Sequence, residues 1–246
     1  MERIDSRGLH YRELNEMIKQ MAEAGVREFQ LDNVNGQRYI GTGLPYPDVK
    51  ILVNGVPGND LASFMNGPEI IVYDNAQDAI GNTMNAGQVT VHGHAGDVLG
   101  YGMRGGRLLI KGDVGYRVGI HMKEYKKQIP VLIAGGCAGD FLGEYMAGGI
   151  LVLLGLERRP EVPLAGDYLG TGMHGGVIYL RGEIDPYTLG KEVATFELDE
   201  ADWKVLGPHL QDFCAAFGYD YEQVCSEKFS KLIPVSHRPY GRLYCY

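Results

Sequence analysis

A pattern that returns every nineteen residues constrains this chain more than any other feature in it. Residues Val89 to Arg107 read VTVHGHAGDVLGYGMRGGR; related stretches start before them at Ile51 and Ile70 and after them at Leu108, Leu132, Leu151 and, in part, Ile178. Insertions near Lys123 to Val131 and Leu156 to Leu164 stretch two of the intervals. Each copy opens with a short apolar strand and then spends about a dozen residues on glycine-rich turns, too few for a helix. A repeat near twenty residues with one strand in it winds into a parallel β-helix, one repeat per coil, with equivalent residues stacked about 4.8 Å apart. The expectation is a mainly β, single-stranded parallel β-helix of about seven coils.

The columns of such a stack are read directly. The fifteenth position holds Met65, Met84, Met103, Met122, Met146 and Met173, and the eleventh holds Leu61, Ile80, Leu99, Val118, Leu142 and Leu169; both are expected to point inward. A methionine column is read as thioether packing and not as a soft-metal site. The eighth column (Gly58, Gln77, Gly96, Gly115, Gly139, Gly166) and the twelfth (Ala62, then Gly81, Gly100, Gly119, Gly143, Gly170) are read as bends, where glycine takes positive φ or lets backbones approach.

The flanks differ. Leu14, Met17, Ile18 and Met21 fall at helical spacing, with Gly25 as a stop. Asn35-Gly36 between Glu28 to Val34 and Gln37 to Ile40 reads as a hairpin turn. Helix and hairpin, over residues 1–48, would cap the β-helix of residues 49–190. From 191 to 246 a helical tail is expected, with Trp203, Leu206, Leu210, Phe213 and Phe217 as its buried face, broken near Gly207-Pro208; the end, KFSKLIPVSHRPYGRLYCY, is aromatic and basic.

A net charge of −8 argues against a nucleic-acid partner, and no apolar run approaches a membrane span. The charged start is unlike a signal peptide, so a cytoplasmic protein is expected. The cysteines Cys137, Cys214, Cys225 and Cys245 form no CxxC pair.

The second position of each strand should face away from the first and third, yet it holds Leu52, Ile71, Thr90, Leu109, Ile133, Val152 and Tyr179. A sheet apolar on both faces must be covered on both, by the terminal segments, by a partner protein or by a second copy of the chain. Leu52, Ile71, Leu109, Ile133, Val152 and Tyr179 are therefore the candidate interaction surface.

For catalysis the best constellation is the sixth column, which stacks Asn75, His94, Asp113 and Cys137. A histidine, a carboxylate and a thiol on neighbouring coils are the parts of a nucleophilic site, but no motif places an oxyanion hole beside them. His92 and His94 form an H-x-H pair without a third zinc ligand. The ninth column (Asn59, Asp78, Asp97, Tyr116, Asp140, Asp167) reads as aspartates capping their own turns. No serine lies in G-x-S-x-G, and no phosphate or dinucleotide fingerprint joins a strand to a helix. The insertions KEYKK and LERRPEVPL put local basic charge on an acidic protein, either as solvated loops or as docking elements for an acidic partner.

The spacing Gly93-x-x-Gly96-x-x-x-Gly100, repeated from Gly112 and from Gly136, resembles the GXGXG family. That family includes the C-terminal domain of the glutamate synthase large subunit and a subunit of formylmethanofuran dehydrogenase. The flanks RGLHYRELNE, NVNGQRYIGTGL and KFSKLIPVSHRPYGRLY are similar to the free-standing version found where glutamate synthase is split into separate polypeptides. The resemblance implies a right-handed β-helix without catalytic residues or cofactor of its own. It also implies a glutamine amidotransferase subunit and a synthase subunit carrying FMN and an iron–sulfur cluster as partners. A formylmethanofuran dehydrogenase subunit is the alternative, and an independent β-helix enzyme using His94, Asp113 and Cys137 is a third reading.

Overall fold

The computed structural model describes residues 1–235. It is a parallel β-solenoid. Strands β1 (Glu2–Asp5), β2 (Glu28–Asn35), β3 (Lys50–Val56), β4 (Asn66–Val72), β5 (Ala86–Val91), β6 (Arg107–Ile110), β7 (Val131–Ala134), β8 (Ala147–Leu153) and β9 (Gly175–Arg181) pair in parallel, each with the next. From β3 to β9 the six successive pairings mark six turns of the repeat, one fewer than the coils expected. The register follows the repeat: Ile51 pairs with Ile70, Ile70 with Val89, Val89 with Leu108, and Leu108 with Leu132 across the first insertion.

Both inward ladders are in place. All six methionines of the fifteenth column are fully buried, and the eleventh column is at most 1% exposed. They close one continuous core with the inward strand residues. Thioether and branched aliphatic side chains stacked on their own kind keep the same cross-section from coil to coil.

Away from the strands the coils are held by backbone hydrogen bonds between turns. At the tenth, twelfth and fourteenth positions of the coils the backbone is left-handed, as at Val98 (φ 62), Gly100 (φ 66) and Gly102 (φ 56), or Phe141 (φ 62), Gly143 (φ 71) and Tyr145 (φ 51). Bonding alternates in direction: the Val98 N–H donates to the Tyr116 carbonyl of the following coil, that of Gly100 to Ile80 of the preceding one, and that of Gly102 forward again to Ile120. Left-handed backbone costs a non-glycine residue about 1–2 kcal/mol, and these bonds on both sides hold it. At Gly119 (φ 76) glycine is also sterically required: a Cβ would lie 2.4 Å from Leu151 Cδ1.

The ends depart from expectation. Helix α1 (Tyr11–Glu23) forms as read, with His10 and Glu13 closing a capping box and Leu14, Ile18 and Ala22 buried. The hairpin does not form. β2 pairs in parallel with β1 on one side and β3 on the other, so Asn35-Gly36 is a coil corner, with the Gly36 N–H donating to Val56 O. The turn signal was real, but the parallel neighbours satisfy the same strand groups that a hairpin partner would have used.

The tail is not wholly helical. Helices α2 (Glu200–Phe217) and α3 (Tyr221–Cys225) lie between β10 (Val193–Glu197) and β11 (Phe229–Pro234). β11 pairs antiparallel with both β9 and β10, ending the parallel stack. α2 runs unbroken through Pro208, with Leu206 and Leu210 buried on either side of it. The aromatic-basic end beyond residue 235, with Cys245, lies outside the described residues.

Candidate functional site

The sixth and ninth columns are built by the same device. In the sixth, the His94 N–H donates to Asn75 Oδ1 (2.7 Å), the Asp113 N–H to His94 Nδ1 (2.9 Å) and the Cys137 N–H to Asp113 Oδ1 (2.8 Å). In the ninth, the Asp97 N–H donates to Asp78 Oδ1 (2.9 Å), the Tyr116 N–H to Asp97 Oδ1 (2.8 Å) and the Asp167 N–H to Asp140 Oδ1 (3.0 Å). Each side chain accepts the backbone N–H of its counterpart one coil later. The aspartates thus accept backbone bonds as expected, but across coils and not within their own turns.

The motif glycines follow from this. A Cβ on Gly96 would lie 2.0 Å from Asp78 Oδ1, one on Gly115 1.9 Å from Asp97 Oδ1, and one on Gly136 2.2 Å from Asp113 Oδ1. None of the three has positive φ. Gly96 and Gly115, in the eighth column, and Gly136, in the fifth, therefore leave space that the ladder side chain of the preceding coil occupies; at Gly58 and Gly115 the missing side chain also lets the backbone of the preceding coil approach, as expected of that column.

His94, Asp113 and Cys137 are brought together, as the column predicts, but in a poor arrangement for nucleophilic chemistry. The Asp113 carboxylate stands 3.6 Å from His94 Nδ1. That nitrogen already accepts the Asp113 N–H at the shorter distance, so it has no proton to donate to the carboxylate. Burial, and then the Asp113 carboxylate, push the Cys137 thiol above its ordinary pKa, which disfavours the reactive thiolate. His92 packs elsewhere, stacked on Tyr73 (5.3 Å) and edge-on to Phe217 (5.2 Å); burial and then Lys111 lower its pKa. Among the described residues no group of three His, Cys, Asp or Glu side chains is placed to hold a metal ion. Nor is any helix among them long and apolar enough to cross a membrane.

The outer strand face is covered from one end only. Leu109, Ile133, Val152 and Tyr179 are buried with Leu206, Leu210 and Phe213 of α2, in a second core on the far side of the sheet from the first. These four are thus closed by the chain itself and are not a free interaction surface. Phe213 fits because the sheet offers it a bare backbone: a Cβ on Gly135 would lie 2.9 Å from its ring. The Tyr179 hydroxyl donates to Asp202 Oδ1 (2.8 Å), whose other oxygen accepts from Lys231 Nζ (2.5 Å). Burial, and then the Asp202 carboxylate, raise the Tyr179 pKa. Leu52 and Ile71 remain half-buried, and Tyr73 beside them is 52% exposed. The insertion segments 123–129 and 157–163 are exposed.

These features define a parallel β-solenoid whose coils are tied by side-chain ladders and whose second sheet face is covered over part of its length. The chain belongs to the GXGXG motif family, which it matches over residues 17–236. It is 47% identical to the uncharacterized protein MJ1350 of Methanocaldococcus jannaschii, over 98% of this chain and 95% of that one. Among solved structures it is similar to a chain of the formyltransferase/hydrolase complex (FhcABCD) from Methylorubrum extorquens, solved with methylofuran. The TM-score is 0.64 at 20% identity, over 96% of each chain, a likeness of fold.

Proposed function

We propose that the chain is a non-catalytic scaffold subunit of a glutamate synthase-like complex. In that reading it holds a glutamine amidotransferase subunit against a synthase subunit that carries FMN and an iron–sulfur cluster. The observation that carries it is the use made of the polar column: Asn75, His94 and Asp113 each accept a backbone N–H of the next coil, so the strongest catalytic candidates serve to join coils. Family membership and the half-open strand face at Leu52 and Ile71 support it. A second reading, a subunit of a formyl-transferring complex such as formylmethanofuran dehydrogenase, is favoured by the fold shared with the Methylorubrum extorquens complex.

Gentle purification of the tagged chain from its native host, with mass spectrometry and visible absorption of what accompanies it, tests both. A flavin and iron–sulfur spectrum with a synthase-like subunit is the expected result. A molybdenum- or tungsten-containing or formyltransferase partner selects the second reading. A colourless chain with no partner overturns both.

A further inference from the structure

A groove of about 440 Å3 runs between the fourteenth and sixteenth columns, lined by Tyr101, Arg104, His121, Lys123, Tyr145 and His174. Gly102 and Ala147, small residues in those columns, leave it open. The Arg104 N–H donates to Met84 O and the Lys123 N–H to Met103 O, one coil apart, so the two cationic side chains leave the backbone from adjacent coils. Stacked coils are about 4.8 Å apart, close enough for the charges to repel.

No acidic residue lines the groove, although the chain has 31 acidic and 23 basic residues, and among the described residues neither cation forms a salt bridge. Arg104 Nε is buried and has no hydrogen-bond acceptor among the described residues. A buried donor without an acceptor is destabilising unless something else accepts from it. The wall is ordered by rings, with His121 stacked on Tyr145 (5.3 Å, 10°) and edge-on to Tyr101 (5.7 Å). These features are independent of the scaffold reading.

We propose that the groove binds a small dianionic ligand through a carboxylate or phosphate group. Arg104 presents the planar guanidinium fork that takes two oxygens of such a group, and Lys123 supplies the second positive charge. His174 stands in the same column at the far end of the groove, its backbone N–H bonded to Met146 O and its ring Nδ1 3.3 Å from the Gly172 carbonyl.

The test is calorimetric titration of the full chain at low ionic strength with inorganic phosphate and, separately, with glutarate. Saturable binding of either probe, weakened at least tenfold by Arg104→Gln and by Lys123→Gln with far-UV circular dichroism unchanged, is the expected result. Arg104→Lys, which keeps the charge and loses the fork, should fall between. The better-bound probe assigns the ligand class. Binding of neither probe, or affinity unchanged in Lys123→Gln, an exposed position that leaves the fold intact, overturns the proposal.

Discussion

Replacing Phe213 by Ala tests whether one helix keeps the second face of the sheet dry. The Phe213 ring is fully buried between α2 and the sheet, over Gly135, where no side chain could share the space. It also meets Phe217 edge-on at 4.8 Å. Truncating a fully buried phenylalanine costs about 3–5 kcal/mol, from lost transfer energy plus the cavity left behind. Here collapse is hindered, because the sheet beneath is fixed by strand pairing on both sides of β7. The loss should fall near the upper part of that range and concentrate on α2, since the inner core lies across the sheet. The assay is built in: Trp203, the chain's one tryptophan, sits on α2 against Phe229 at 5.4 Å. Urea unfolding followed by tryptophan fluorescence reports helix release, while circular dichroism reports the strands. The expected result is a fluorescence transition that separates from the strand transition and loses about 3–5 kcal/mol. A loss below about 1 kcal/mol, or two transitions that move together, would refute the reasoning that α2 is a discrete cover held by this ring.

Three further outcomes follow from the ladders and the cover. Gly96→Ala should destabilise strongly on its own and much less in an Asp78→Ala background, because its Cβ would strike Asp78 Oδ1 at 2.0 Å while the nearest backbone atom is 3.3 Å away; additive losses in a double-mutant cycle would contradict the space-filling account of the glycine motif. Asp97→Ala removes the acceptor of the Tyr116 N–H and should cost roughly 1 kcal/mol, whereas Asp97→Asn keeps an acceptor and should cost less; equal losses by thermal denaturation would count against the ladder. For Asp202, burial raises the pKa, but Lys231, the Asp199 N–H and the Tyr179 hydroxyl together hold it below the ordinary carboxylate value. A depressed folded pKa gives stability that is present above the unfolded value of about 3.9 and lost as pH falls through the folded one. Wild type should therefore exceed Asp202→Asn in stability at neutral pH, with the gap closing below about pH 4; a gap independent of pH would assign the effect to packing.

Much of this protein was legible in one dimension because a solenoid repeats its environment. The spacing of Met65, Met84 and Met103 sets the coil length, and the alternation in VTV, carried to the other coils by the repeat, sets which residues face the core, since both depend only on period and side-chain chemistry. The same columns named His94, Asp113 and Cys137 as neighbours. Their task was not legible, because it depends on which atom accepts which N–H one coil away, and the direction of those bonds belongs to the stacked turns. That Gly96 and Gly115 make room for a side chain, besides letting backbones approach, was hidden for the same reason: nothing within a single repeat says that the space beside Gly115 holds an oxygen of Asp97.

At the ends, local signals met neighbours that the sequence does not display. Asn35-Gly36 has hairpin chemistry, yet β1 and β3 were already there to pair with β2, and a parallel coil satisfies the same backbone groups. The two-sided apolar column from Leu52 to Tyr179 stated that the outer face needs a cover, a requirement of burial alone. Which cover it receives was a tertiary matter. β11 returns antiparallel beside β9, α2 lies over Leu109, Ile133 and Val152, and the helix closes that half of the face and leaves Leu52 and Ile71 half-open. Period and polarity, being local, were determined by the sequence by itself; the pairing of distant groups, set by what else competes for each surface, was decided only when the chain had wound.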